Sequence, residues 1–313
     1  MGAITATSQP SAVLDFFGNE PAQPLPRFAA EHLNSKDGQV PNDHSVDFRV
    51  NGRAARLTLV PGTFYPTKTS KPMRRYPGVK EQLVEQSLIQ HAALQEQMAN
   101  GDTSSSVNFT INALGRQLKA MGSTMSNTQI RQALDVLSST VMMLSYGDDL
   151  QLEHRGTLLS AFGRNTLSTA GGNNGDDIWC VKFHALIAES IFNVNSRQCP
   201  VDRLKHYSPV GAALLRRIHC IEASGRKPYQ FTVQEMKMIA AGLSHIRLAG
   251  SMQAIRKELE RMQADHYLTC FAVEDVFPPV RGRGRPVPID YRVTLYPGPQ
   301  WIKNMKAGSS PSL

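Results

Sequence analysis

A chain of 313 residues with 41% hydrophobic residues can bury one large core or two of ordinary size, which excludes a wholly disordered protein. The net charge is +8, and it is unevenly placed: Lys205 to Leu313 carry 16 Lys and Arg against 8 Asp and Glu, whereas residues 1–204 carry 18 of each. A solvated surface spreads its charge, so an excess confined to the last third points to a polyanionic partner for that part. No apolar run approaches the roughly 20 residues of a membrane span, and no basic stretch followed by an apolar one opens the chain as a leader would. Cys180, Cys199, Cys220 and Cys270 are widely spaced and form no C-x-x-C pair, as expected of reduced core residues in a cytoplasmic protein.

Residues 1–45 hold five prolines and little periodicity, which reads as a flexible arm. Residues 46–75 read as a β-hairpin and linker: Val46, Phe48 and Val50 alternate, Asn51-Gly52 is a two-residue turn, and Leu57 and Leu59 resume the alternation. From Val79 the period lengthens. Leu83, Val84, Leu88 and Ala92 mark an amphipathic helix, and Leu114, Leu118 and Met121 a second that stops at Gly122. Ser126 to Gln129 form a capping box that opens a third helix with Ile130, Leu134 and Leu137 inside. β-Branched and apolar residues follow from Thr140 to Leu144; strands are expected near 150–154, 157–162 and 178–183, a loop over 163–177 and a helix over 185–192. The order then recurs. Ser208-Pro209 opens one helix, the box at Thr232 to Glu235 a second that ends near Gly242, and Gly250-Ser251 a third. Inside the third lie Ile255, Leu259 and Met262, at the spacing of Ile130, Leu134 and Leu137. Strands at 268–276 and 289–295 follow, with Pro278 to Pro286 at the tip between them.

Helix, helix, helix, strand, loop, strand, read twice, is the element order of a winged helix. The fold class expected is α+β, two tandem winged-helix domains with a flexible N-terminal arm: domain 1 over 76–200, domain 2 over 201–303, and a flexible tail over 304–313. In such a fold the third helix enters the major groove of double-stranded DNA. On the 251–265 helix the residues away from the apolar stripe are Gln253, Arg256, Lys257 and Glu260, with Ser251 at the start, where its hydroxyl and the free N–H groups suit a phosphate. A solvated helix face, held by pairs such as Arg256–Glu260, is the plainer reading of the same residues. On the first unit's helix the outer residues are Thr128, Gln129, Arg131 and Gln132, with Asp135; that face is nearly neutral and suits weak DNA contact or self-association equally. Arg281, Arg283 and Arg285 alternate with glycine before Pro286. Arg283 to Pro286 match the core of an AT-hook, which lays arginines in the narrow minor groove of A·T-rich DNA.

No P-loop sequence, H-x-H pair or H-E-x-x-H pattern occurs. Gly171 to Gly175 lack the lysine that a phosphate loop needs, and Tyr207 reads as a buried tyrosine at a helix start rather than a nucleophile. The expectation is a protein with no catalytic residues, metal, cofactor or small-molecule substrate.

Tyr76 to Glu85, Phe109 to Leu118, Gln132 to Ser138, Phe183 to Ile191 and, in outline, Leu204 to Arg216 resemble plasmid replication initiators of the RepA kind, over residues 75–300. The resemblance implies two winged-helix domains that bind repeated origin sequences (iterons), bend the DNA, help open an adjacent A·T-rich segment, recruit the host helicase and initiator, and in many cases dimerise to repress their own gene and so control plasmid copy number. The arginine tip is not part of the resemblance. Two alternatives stay open at this point: a winged-helix transcriptional repressor, and a nicking or priming enzyme.

Overall fold

A computed structural model describes residues 25–308 apart from 36, 51–52, 68, 99–105, 147–149, 165–176, 185–206, 221–227, 244–245 and 279–285. The helix expected over 185–192, the loop at 165–176 and the arginine tip therefore lie outside the described residues.

The arm expected over 1–45 is shorter than its prolines suggest. Leu25, Phe28, Ala29 and Ala30 are buried, a 3-10 turn covers Glu31–Leu33, and Asn34 takes Tyr76 in a reciprocal pair: its Nδ2 donates to the Tyr76 carbonyl at 3.0 Å and its Oδ1 accepts the Tyr76 N–H at 2.7 Å. Proline fixes an extended path as readily as it marks disorder, and buried apolar side chains decide which. Tyr76 is itself fully buried, and burial pushes its hydroxyl up to about 12.

The hairpin is present as β1 (His44–Val50) and β2 (Arg53–Val60). Val50 pairs with Arg53, which leaves the two residues that a tight turn needs. It does not stand alone: β2 also pairs with β6 (Val141–Tyr146), and β6 with β7 (Gln151–Thr157), in a sheet of order β1-β2-β6-β7. Between them come the short pair β3 (Gly62–Phe64) and β4 (Met73–Arg75), then α1 (Val79–Met98), β5 (Ser106–Thr110), α2 (Ile111–Ala120) and α3 (Asn127–Ser139). The expected capping box is formed: Ser126 Oγ accepts the Gln129 N–H, and Gln129 Oε1 accepts the Ser126 N–H at 2.9 Å. Gly122, at φ +79°, ends α2 where only a glycine is unstrained. Strands β8 (Leu159–Arg164) and β9 (Ile178–Phe183) complete a second sheet of order β5-β9-β8. Leu57, Leu88, Ile111, Leu114, Ile130, Leu134 and Leu144 meet in one core.

The second unit has its own core, around Leu215, Phe231, Ile255, Leu259, Tyr267 and Leu295. It runs α4 (Pro209–Cys220), β10 (Tyr229–Thr232), α5 (Val233–Ile239), α6 (Leu248–Ala264), β11 (Leu268–Val276), β12 (Asp290–Pro297) and α7 (Pro299–Gly308). Its sheet order is β10-β12-β11. That matches β5-β9-β8 position for position: a short strand ends in threonine, the threonine caps a helix, and the last strand of the unit lies between the other two. Thr110 Oγ1 accepts the Ala113 N–H at 3.0 Å, and Thr232 Oγ1 accepts the Glu235 N–H at 3.3 Å. The sheet β1-β2-β6-β7 and the β3–β4 pair are the first unit's additions to this plan. Where a flexible tail was expected from 304, α7 continues to Gly308, anchored by buried Trp301.

The cysteines do not all pack inside. Cys270 is exposed on β11 and Cys180 half-buried on β9, because each takes its place in a strand with one open face. Three histidines, His44, His91 and His184, are held below their ordinary value of 6.5 mainly by burial, His44 also by His32 and His184 also by His154. At these three side chains the unfolded chain binds more protons than the folded one as pH falls to 6.5 and below, so their contribution to stability falls through that range. The urea midpoint is expected to drop between pH 7.5 and 5.5, with a slope of at most about 1.4 kcal/mol per pH unit for each histidine. A midpoint that stays level or rises would contradict this.

Candidate nucleic-acid interface

Helix α6 is built to show one face. Met252, Ile255, Leu259 and Met262 are buried, and each such side chain contributes about 1.5–3 kcal/mol when fully removed from water. The opposite residues Gln253, Arg256, Lys257 and Glu260 are all exposed, and so are Arg247, just before the helix, and Arg261. Among the described residues Arg256 and Glu260 form no ion pair, so the face is not closed by salt bridges. Arg247 was missed by the pattern because the helix starts earlier than the Gly250-Ser251 signal, whereas Arg261 lies within the expected 251–265 span, next to Glu260, and was passed over. The helix begins at Leu248, and Ser251 lies one turn in.

This placement corrects one candidate. Ser251 is fully buried, and its hydroxyl lies 3.5 and 3.4 Å from the carbonyl oxygens of Leu243 and Ile246. It holds the turn before the helix and does not meet a phosphate. Lys237 Nζ, from α5, donates to the same Ile246 carbonyl at 2.7 Å.

The equivalent face of α3 is covered. Thr128 is exposed, while Gln129, Arg131 and Gln132 are half-buried. Gln129 is engaged in the cap, and Gln132 Nε2 donates to the Pro66 carbonyl at 3.0 Å. The β3–β4 pair lies along the C-terminal half of the helix. Ser139 Oγ accepts the Thr63 N–H at 2.7 Å and lies 3.1 Å from the Thr63 carbonyl, and a Cβ on Gly62 would sit 2.3 Å from the Val136 carbonyl oxygen. Burial raises the Asp135 carboxyl above its ordinary value, with Arg131 acting against the rise. The two units thus share a plan, but only α6 offers a long open face.

Behind α6, β11 and β12 form a hairpin in register from Phe271–Leu295 to Val276–Asp290. It leads to exposed Phe277, Val287 and Ile289 at the root of the tip that holds Arg281, Arg283 and Arg285.

Tyr207 is buried beneath α6. Its hydroxyl donates to Asp265 Oδ2 at 2.6 Å, and the Arg261 guanidinium lies 5.4 Å from its ring centre. Burial first, and the Asp265 carboxylate second, push its ionisation far above the ordinary tyrosine value. Among the described residues no group of three His, Cys, Asp or Glu side chains is placed to hold a metal, and no helix is long and apolar enough to cross a membrane. A cleft of about 530 Å³ lies between the units, lined by Phe48, Arg56 and Leu150 on one side and Arg217, Glu235 and Met238 on the other. Its charges are largely met within the wall, Arg56 by Asp47 at 2.6 Å and Arg217 by Glu235 at 2.9 Å.

No protein-family model matches the chain, and no curated protein matches it. Solved structures do. A structure titled as domains 2 and 3 of RctB, a selenomethionine derivative, aligns with a TM-score of 0.50 at 12% identity, over 87% of this chain and 98% of that one. A second structure of RctB domains 2–3 aligns at 0.46 and 13%, over 82% and 92%. A structure titled as the Pi initiator protein in complex with iteron DNA aligns at 0.38 and 11%, over 71% and 95%. At these identities likeness extends to architecture alone, and the first alignment places this chain in the same mixed α/β fold as domains 2 and 3 of RctB.

Proposed function

We propose that the chain is a sequence-specific double-stranded DNA-binding protein, made of two tandem winged helices, that initiates replication of a plasmid-type origin. It binds origin repeats, helps open adjacent A·T-rich DNA and recruits the host helicase and initiator. The observation that carries this reading is the open face of α6, with Gln253, Arg256 and Lys257 exposed in the one part of the chain that holds net positive charge. Arg reads guanine and Gln reads adenine by paired hydrogen bonds in the major groove. The matching sheet orders β5-β9-β8 and β10-β12-β11 support a tandem fold, and the resemblance of residues 75–300 to RepA-type initiators supports the role.

In this reading α6 of the second unit reads the bases and the arginine tip grips the minor groove beside it, while the first unit adds a weaker contact through the N-terminal end of α3, where Thr128 is exposed. Opening of the duplex draws on binding energy and DNA deformation, not on nucleotide hydrolysis. No catalytic group is assigned: the buried, hydrogen-bonded Tyr207 is a poor nucleophile, which favours a non-enzymatic role. A homodimer that represses its own gene, and residence in the cytoplasm, belong to the same proposal.

The test is a footprint of the pure protein on DNA flanking its own gene. Direct repeats beside an A·T-rich stretch support an initiator, whereas a lone palindrome would make it a repressor. Nicked or covalently bound supercoiled origin DNA, in the presence of a divalent metal, would overturn the non-enzymatic reading. Replacing Arg281, Arg283 and Arg285 together with alanine is expected to weaken binding and to flatten its salt dependence by up to about three phosphate-equivalents. An unchanged affinity and salt slope would remove the tip from the interface.

A further inference from the structure

Helix α1 carries Glu81, Gln82, Glu85, Gln86 and Gln90 at 1–2% exposure, an unusual density of buried polar groups for one helix. Two of their contacts lead back to the N-terminal segment and the strand before the helix: Glu85 meets Arg27 at 3.0 Å, and Glu81 meets Arg75. Gln82 faces the second unit. Its Oε1 accepts the Ala241 N–H at 2.9 Å, across 159 residues of sequence. Glu31 works beside it with both carboxylate oxygens. Oε1 accepts the Val79 N–H at the start of α1, at 3.0 Å, and Oε2 accepts the Gly242 N–H at 2.6 Å, across 211 residues.

Ala241 and Gly242 belong to the turn that joins α5 to α6, the turn that aims the exposed face. Glycine makes the approach possible from both sides. Gly242 has φ +86°, and a Cβ there would sit 3.2 Å from Val79 Cγ2; a Cβ on Gly78 would sit 2.6 Å from Glu31 Oε1. The N–H groups of a turn need partners when they are buried, and here the first unit supplies them in place of the turn itself. An ionised acceptor gives the shorter and stronger of the two bonds, as a charged group does.

From this we infer that Glu31 and Gln82 are positioning residues: they seat the α5–α6 turn on the first unit and so fix the distance and angle between the two units' contacts with DNA. The inference rests on the DNA-binding reading above. It means that the protein measures the spacing within its site as well as the bases. Two linked contacts reinforce each other only when the geometry lets both engage at once. Each base pair inserted between the two contacts turns one about the helix axis relative to the other and moves it along, since the duplex repeats every 10–10.5 base pairs over 34–36 Å.

The experiment uses the full chain and its footprinted site, with none, one, two or five base pairs inserted between the two protected stretches. For the native protein, two inserted base pairs are expected to weaken binding by about 100-fold, the scale on which linked contacts reinforce each other. In Gln82→Ala, and in Glu31→Ala, that penalty is expected to shrink to less than about ten-fold, because the units can then adjust independently. Gln82→Glu keeps an acceptor for Ala241 and is expected to restore the native penalty. A merely structural loss would lower affinity for every spacing alike. If Glu31→Ala does not fold, the Gln82 pair of variants still decides the matter. An unchanged penalty in Gln82→Ala overturns the proposal. So does a native protein indifferent to insertion, which would mean that one unit alone reads the site. Failure of the native protein to bind any fragment would instead remove the DNA-binding reading on which the proposal rests.

Discussion

Arg256→Ala is expected to weaken binding to the cognate site by about 1–3 kcal/mol, the usual range for losing one paired contact to a base. The side chain is exposed on the open face of α6, and among the described residues no carboxylate ties it down. A surface change of this kind should leave folding stability within about 0.5 kcal/mol. Titration of the variant against the cognate site and against single-base variants of it would test the point. The loss should be largest for the native base at one position and vanish where that base is already wrong. Lys257→Ala should behave differently, weakening all sites alike and lowering the salt slope by about one phosphate-equivalent. If Arg256→Ala leaves both affinity and base preference unchanged, α6 is not the reading helix.

Three residues along from Arg256, on the opposite face, Leu259→Ala should cost about 2–5 kcal/mol of stability, the range for deleting a fully buried leucine side chain. Leu259 is fully buried, in a core shared with Ile255, Met262, Tyr267 and Leu295. The chain contains two tryptophans, and they divide between the units: Trp179 lies on β9 and Trp301 on α7. Trp301 is buried beside the damaged core, so its fluorescence in a Trp179→Phe background should report the loss directly under urea. A shift worth less than about 1 kcal/mol would mean that the site collapses without a cavity.

The elements that the sequence discloses are those stabilised by neighbours. Ser126 with Gln129 and Thr232 with Glu235 cap their own helices, so four residues carry the whole signal. The stripe Ile255, Leu259, Met262 lies on one helix, and Val46 to Leu59 on one hairpin. Strands β5 and β10 were not legible, because each is short and gains its partner from far along the chain: Phe109 pairs with Trp179, and Phe231 with Val293. The polar side of α1 misleads for a related reason. An amphipathic helix would leave Glu81, Gln82 and Glu85 in solvent, yet they are buried, Glu85 against Arg27, Glu81 against Arg75 and Gln82 against Ala241 of the second unit. Glu258 does the same on α6. It is 6% exposed, packed so closely over α4 that a Cβ on Gly211 would fall 2.2 Å from its Oε2. Within the candidate site, Arg256 and Lys257 were placed by period alone, since exposure follows from being opposite the stripe. Ser251 was not, since its burial depends on where the helix begins, and neither glycine nor serine fixes that start when Leu248 can extend the first turn.

The β3–β4 pair laid along α3 has a consequence for how such a protein changes over time. A residue on the outer side of α3 answers to two surfaces at once, since Gln132 and Ser139 bond the brace and Gly62 admits no side chain between them. Few replacements there would leave the brace seated. Among the described residues nothing holds the outer side of α6, so Gln253, Arg256 and Lys257 can vary without disturbing the described fold. If α6 reads DNA as proposed, a new target sequence can be acquired by exchanging a few side chains on one helix.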